Sequence, residues 1–175
     1  MSTLAQSTRA AGAASARSAR PAWRGFTLVE VLTVLAVLAV LVAIALPSLN
    51  NVMAGQRLRA AGTDLMSSLL LARSEAIKRN ARVAVLPQVD GDWTQGWRVA
   101  TVSDDEQLDR KNAPGYRVYV ALVPAEIVYE RNGRLTAPGT TQVEFSDSDH
   151  APGVESRCLT IDPSGMPMLA VGACS

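Results

Sequence analysis

Glu30 is the only charged side chain in a run of 21 residues, FTLVEVLTVLAVLAVLVAIAL, at positions 26–46. A carboxylate at membrane depth costs roughly 2.5–3.5 kcal/mol on insertion scales, so its presence demands a counter-charge or another use. Other residues capable of chemistry are few. A nucleophile–base–acid set needs a base, and the only histidine, His150, stands apart from any cluster. Ser164, in Pro163-Ser164-Gly165, belongs to a turn sequence and not to a strand-to-helix elbow. Asp104-Asp105-Glu106, with Asp109 beyond, lacks the spaced oxygen ligands and glycine of a calcium loop. No phosphate-binding or dinucleotide fingerprint occurs. Neither a catalytic site nor a bound metal or cofactor is expected. Cys158 and Cys174 are the two cysteines, close together near the C-terminus. A disulfide closing a loop of that size stabilises by about 3 kcal/mol in the chain-entropy view. A metal site would want further ligands.

The charge distribution orients these residues. The formal net charge of +1 conceals an uneven spread: Arg9, Arg17, Arg20 and Arg24 precede the apolar run, and no acid accompanies them. Without those four, 13 basic and 16 acidic residues remain, a balance of −3. A mildly acidic body argues against a dedicated nucleic-acid binder. At ~1.5 Å per residue the apolar run matches a ~30 Å hydrocarbon core. Its arginine-rich flank should stay cytoplasmic, sending the remainder to the other side, which in a bacterium is the periplasm. Both cysteines then lie where a disulfide persists. Two plain readings follow, a signal-anchor helix or a removable secretory signal. Ala43-Ile44-Ala45 offers an A-x-A triplet for the latter, but the stretch exceeds the usual ~7–15 apolar residues. Neither accounts for Glu30.

Beyond it, Pro47 removes a backbone donor and should kink or locally open a helix. The helical pattern resumes over 47–80. Leu58, Ala61, Leu65, Leu69, Ala72 and Ala76 form one apolar stripe at three- and four-residue steps, and Asn80 is a plausible stop. Arg73, Lys78, Arg79 and Arg82 read as a solvated helix end before a polyanion-binding patch. From position 81 the period falls to two. Strands are expected at 82–88, 97–102, 116–123, 127–131, 141–145, 157–161 and 168–171, punctuated by Asp90-Gly91-Asp92, Pro114-Gly115, Asn132-Gly133, Pro138-Gly139, Pro152-Gly153 and Pro163-Ser164-Gly165. Trp93 and Trp97 read as core filler. A long helix followed by short antiparallel strands is an α+β arrangement, with the helix stripe supplying half the core.

The stretch Gly25-Phe26-Thr27-Leu28-Val29-Glu30 resembles the processing site of type IV pilins and type II secretion pseudopilins. That resemblance implies a leader over 1–25 removed by prepilin peptidase, with cleavage between Gly25 and Phe26 and N-methylation of Phe26. Glu30 becomes the fifth mature residue, able to neutralise the new amine, and Pro47 falls where pilins often carry proline. The stretches LMSSLLLARSEAIKRNARVAV (65–85) and WTQGWRV (93–99), with a late cysteine pair around PSG, resemble the GspH/FimT branch of minor pseudopilins and minor pilins. It implies a type IV pilin-like fold: a helix, transmembrane in its first half, packed on a two-sheet periplasmic domain over 81–175. The implied role is structural, priming or capping assembly of a type IV pilus or a type II secretion pseudopilus. The implied partners are prepilin peptidase, other minor and major pilins or pseudopilins, and the inner membrane. The implied location is a single pass of that membrane, then the filament. Alternatives are a DNA-binding competence pilin of the FimT type and a plain membrane-anchored periplasmic domain. FimT-type binders use basic residues near the C-terminus. Here Met166-Pro167-Met168-Leu169-Ala170-Val171 carries none, and Arg131, Arg134 and Arg157 are the nearest, so DNA is not an expected partner.

Overall fold

The computed structural model describes residues 25–175, apart from the side chains of 45–48, and the chain divides into a unit up to Val40 and a unit over Leu41–Ser175. Most of the expected leader and the side chains of Ala45 and Pro47 therefore lie outside the described residues. Helix α1 covers Leu28–Arg79, 52 residues, with helical backbone on both sides of Pro47 and at Pro47 itself. It ends as the sequence predicts, at Asn80, which adopts φ 51°. Asn80 N–H donates to the Ile77 carbonyl at 3.3 Å and Ala81 N–H to the Ala76 carbonyl at 3.2 Å. Those two bonds satisfy carbonyls that the helix end would otherwise orphan, with asparagine at the left-handed position of a Schellman cap.

In the larger unit, β1 (Val83–Val89), β2 (Asp92–Thr101), β3 (Gln107–Asn112) and β5 (Ile127–Tyr129) form one antiparallel sheet in the order β3-β2-β1-β5. A second sheet orders β4 (Val118–Ala121), β6 (Thr141–Asp147), β7 (Arg157–Ile161) and β8 (Pro167–Val171) as β4-β6-β7-β8. Val89 pairs with Asp92, so Asp90-Gly91 is a two-residue hairpin loop of the kind that Asp-Gly favours.

The helix stripe is the centre of the core. Leu58, Ala61, Leu65, Leu69, Ala72 and Ala76 are all buried, and they cluster with Val83, Val85, Val99, Tyr129, Val143, Phe145, Leu159 and Ile161 from both sheets. Trp93 and Trp97 are core residues, as expected. Their indole N–H groups are satisfied, Trp93 by the Pro124 carbonyl at 3.1 Å and Trp97 by Ser68 Oγ on α1 at 3.0 Å. The Ser68 contact explains a polar residue beside the apolar stripe: it accepts from an indole that burial would otherwise leave unpaired.

The expected strands at 82–88, 127–131, 141–145 and 168–171 shift by one or two residues at one or both ends, and three larger departures occur. β2 begins at Asp92, five residues before the predicted start, because the tight Asp90-Gly91 loop starts the pairing at once. β4 is trimmed to Val118–Ala121 by the turn before it and the left-handed Leu122 after it. β3, QLDRKN, was not predicted at all. It is an edge strand whose charged side chains give no alternating apolar signal, and such charges protect a sheet edge from pairing with another chain.

Cys158 on β7 and Cys174 beyond β8 form a disulfide, with Cα atoms 5.1 Å apart. It ties the C-terminal tail back to the central strands. Replacing both cysteines by alanine is expected to cost about 3 kcal/mol. Urea unfolding of the full-length protein in detergent, followed by fluorescence of the buried tryptophans, measures this. An unchanged midpoint would count against a stabilising role for the bond.

Candidate processing and assembly site

Gly25, Phe26 and Thr27 precede α1 without regular structure, and Phe26 is exposed. The helix starts at Leu28 because Thr27 caps it. Glu30 N–H donates to Thr27 Oγ1 at 3.2 Å and Val31 N–H to the Thr27 carbonyl at 3.2 Å. Thr-x-x-Glu is a capping-box spacing, and it could have been read from the sequence as a helix start. The side-chain half of that box is not made: the Glu30 carboxylate forms no hydrogen bond or ion pair with another described residue. It lies in the first helical turn, where the helix dipole favours negative charge. The acid is thus held one turn from Phe26 with its acceptor oxygens uncommitted.

From Leu28 through Ile44 the helix exposes its large apolar side chains, including Leu32, Leu35, Leu38 and Leu41. It is long and apolar enough to cross a membrane. So large an exposed apolar surface needs lipid or neighbouring helices to cover it. Pro47 lies within α1 beyond that stretch.

The remaining candidate residues take structural places. Asp105 pairs with Arg98 and Glu106 with Arg79, both at 2.6 Å, while Asp104 accepts from Thr101 and Ser103. The acidic loop is committed to its own surroundings. Lys78 and Arg79 pair with Glu75, and Arg73 Nε donates to the Gly133 carbonyl at 3.1 Å. Arg131 and Arg134 lie in the exposed loop after β5, and Arg157 lies on β7. His150 is an exposed loop residue, and Ser164 sits in the turn between β7 and β8.

Among the ion pairs that escaped sequence reasoning, the most buried is that of Arg117 and Asp147. Arg117 donates to both carboxylate oxygens of Asp147, at 2.8 and 2.6 Å, and reaches Asp149 at 3.0 Å. Only 2% of the Asp147 side chain is exposed. The Arg117 guanidinium holds the Asp147 carboxyl below the usual carboxylate range. A depressed folded-state pKa gives stability that is present above the unfolded value, about 3.9, and is lost as pH falls through the folded value. Asp147→Asn is therefore expected to be less stable than wild type at pH 7. The gap should begin to narrow as pH drops below about 4 and close as pH passes through the lower folded-state value, where native Asp147 becomes neutral. Urea midpoints of both proteins across that range provide the measurement, and a pH-independent gap would defeat the assignment.

The profile of the prokaryotic N-terminal methylation motif matches residues 24–46, the segment just described. The profile of the type II transport protein GspH matches residues 61–165, more than half of the chain. The chain belongs to the GspH family. No curated protein matches it in sequence. Among solved structures, the GspH-family chain resembles the type IV minor pilin FimU of Pseudomonas aeruginosa, with TM-score 0.57 and 19% identity over 66% of this chain and 89% of that one. It also resembles the minor pseudopilin EpsH from the Type 2 Secretion System of Vibrio cholerae, with TM-score 0.50 and 16% identity over 65% of this chain and 95% of that one. The long N-terminal helix with two antiparallel sheets is the type IV pilin-like fold that the sequence led one to expect. The protein is thus a GspH-family chain whose family domain follows an N-terminal methylation motif.

Proposed function

We propose that this chain is a minor pilin or pseudopilin that primes or caps assembly of a type IV pilus or a type II secretion pseudopilus. It is made as a precursor with residues 1–25 as leader, and prepilin peptidase cleaves between Gly25 and Phe26 and methylates the Phe26 amine. Residues 26–46 cross the inner membrane once, with residues 81–175 as a periplasmic domain and 47–80 continuing the helix. On assembly the same apolar segment moves from lipid into the filament core, packed against other subunits. Pro47 provides local give in the helix, and Glu30 neutralises the Phe26 ammonium within the chain or on a neighbour. Cleavage is what turns Glu30 from a costly residue into a useful one, because it creates the cation.

The observation that carries this reading is the coincidence, in one chain, of the methylation motif on an exposed apolar helix and the GspH-type domain. Mass and N-terminal sequence of the protein expressed with and without prepilin peptidase test it. A peptidase-dependent start at N-methylated Phe26 is expected. A start at Leu46 would mean secretory cleavage, and an intact leader in both cultures would mean a plain anchor.

A further inference from the structure

Beside α1 in the larger unit, two cavities of about 450 and 410 Å³ share Arg59 and Arg157 in their walls. The second is lined otherwise by Thr63, Leu169, Ala170 and Val171, with no acidic residue. Arg157 Nη1 is shut off from solvent and has no hydrogen-bond partner among the described residues. A buried donor without an acceptor is costly, and a charged one more so. Arg59 is exposed and likewise forms no ion pair with a described residue. Arg79, Arg98 and Arg117 each hold a carboxylate at 2.6 Å; what sets Arg157 apart from the other arginines without an ion pair is its buried, unpartnered Nη1. Glu155 lines the first cavity only, and neither arginine pairs with it.

We propose that Arg59 and Arg157 bind the carboxylate of an aspartate or glutamate from a neighbouring pilin-type subunit, seated in this groove. The inference rests on the filament reading above. Two guanidinium groups on one cavity wall offer the planar donors that carboxylates accept. The apolar side of the same cavity, Leu169 and the exposed Val171, suits the aliphatic stem of such a residue or an apolar neighbour in its chain. A nucleic-acid backbone fits less well. It needs a row of cations, whereas Glu155 stands at this site and the chain beyond residue 25 carries 13 basic and 16 acidic residues. The position also favours a neighbour. Arg59 lies 13 residues beyond Leu46, about 20 Å along a helix, so packing of 26–46 between subunits brings another subunit's domain within reach of the groove.

The test uses the full-length chain with a photo-reactive benzoylphenylalanine in place of the exposed Thr63, expressed in its host with the prepilin peptidase and pilin subunits. Light should link it to another processed pilin-type subunit, at a segment containing Asp or Glu. Arg59→Glu should lower that yield about tenfold, and Arg59→Lys should restore much of it. Arg59 is exposed, so neither variant threatens the fold, which circular dichroism verifies. A yield indifferent to Arg59→Glu, or a link only to segments without an acid, overturns the proposal. So does retardation of short duplex DNA by the full-length chain in detergent that Arg59→Glu abolishes, since the ligand would then be phosphate. The mass of the same samples separates this failure from that of the filament reading. An unprocessed N-terminus defeats the filament reading and the proposal with it, while a processed and assembled chain without the expected link defeats the proposal alone.

Discussion

Glu30→Leu is expected to insert and be processed like wild type yet fail to enter filaments. The two halves of this prediction have different physical causes. Insertion should become easier, because the substitution removes a charge that costs roughly 2.5–3.5 kcal/mol in the apolar layer. The proposed cleavage falls between Gly25 and Phe26, in the irregular segment before α1, and a side chain one helical turn away should leave that segment unchanged. Assembly is where the loss appears. After the proposed cleavage Phe26 would carry an ammonium, and an unpaired ion in a low-dielectric surrounding costs several kcal/mol. At 1.4 kcal/mol per decade, incorporation should fall about 100-fold or more. Glu30→Gln keeps shape and hydrogen bonding but not charge, and should resemble leucine. Glu30→Asp should retain part of the function, since the carboxylate survives on a shorter stem. The ratio of sheared filament to membrane fraction, read by immunoblot, gives the answer. Wild-type incorporation of Glu30→Leu would remove the charge-pairing role, and a loss of cleavage would move Glu30 into peptidase recognition instead.

How much of this was legible in the sequence depends on the range of the interaction. Period and punctuation are local, so the stripe Leu58 to Ala76, the stop at Asn80 and most strands could be read directly. Glu30 was legible by contradiction, an acid where none should be. Its partner in the cap, Thr27, was equally local but went unread, although Thr-x-x-Glu is a known spacing. β3 was illegible because its residues are selected by a sheet edge, which rewards charge and gives no apolar alternation. Arg117 and Asp147 are 30 residues apart, and nothing in either neighbourhood announces the other. The same holds for Arg59 and Arg157, which share a cavity only because α1 lies beside β7 and β8. Long-range pairs are created by the fold, and a single sequence carries no period that reports them.

The glycine of Pro163-Ser164-Gly165 shows what a motif can hide until packing is known. Gly165→Ala is expected to destabilise the domain by about 2–5 kcal/mol, from two separable causes. Gly165 has φ +84°, where a side chain is strained, at about 1–2 kcal/mol. An added Cβ would also lie 2.2 Å from the Gly133 carbonyl oxygen and 2.8 Å from the Tyr129 ring. Neither neighbour can yield cheaply. The Gly133 carbonyl accepts from Arg73 Nε on α1 at 3.1 Å, and Tyr129 is fully buried with its hydroxyl donating to the Gly165 carbonyl at 3.2 Å. Burial raises the Tyr129 phenol, so that hydroxyl remains a donor at any ordinary pH. Overpacking of this kind typically adds 1–3 kcal/mol, because backbone and core must move together. Gly172 supplies the control. It has φ +112° but open space where a Cβ would go, so Gly172→Ala should show the backbone strain alone. Urea midpoints of the two variants separate the causes: a clearly larger loss at Gly165 is close approach, whereas equal losses would reduce its role to backbone conformation. In the first case the PSG turn is where α1, β5 and the β7–β8 connection meet too closely for any side chain. That packing is a physical reason for the motif, and it belongs to stability and not to chemistry at Ser164.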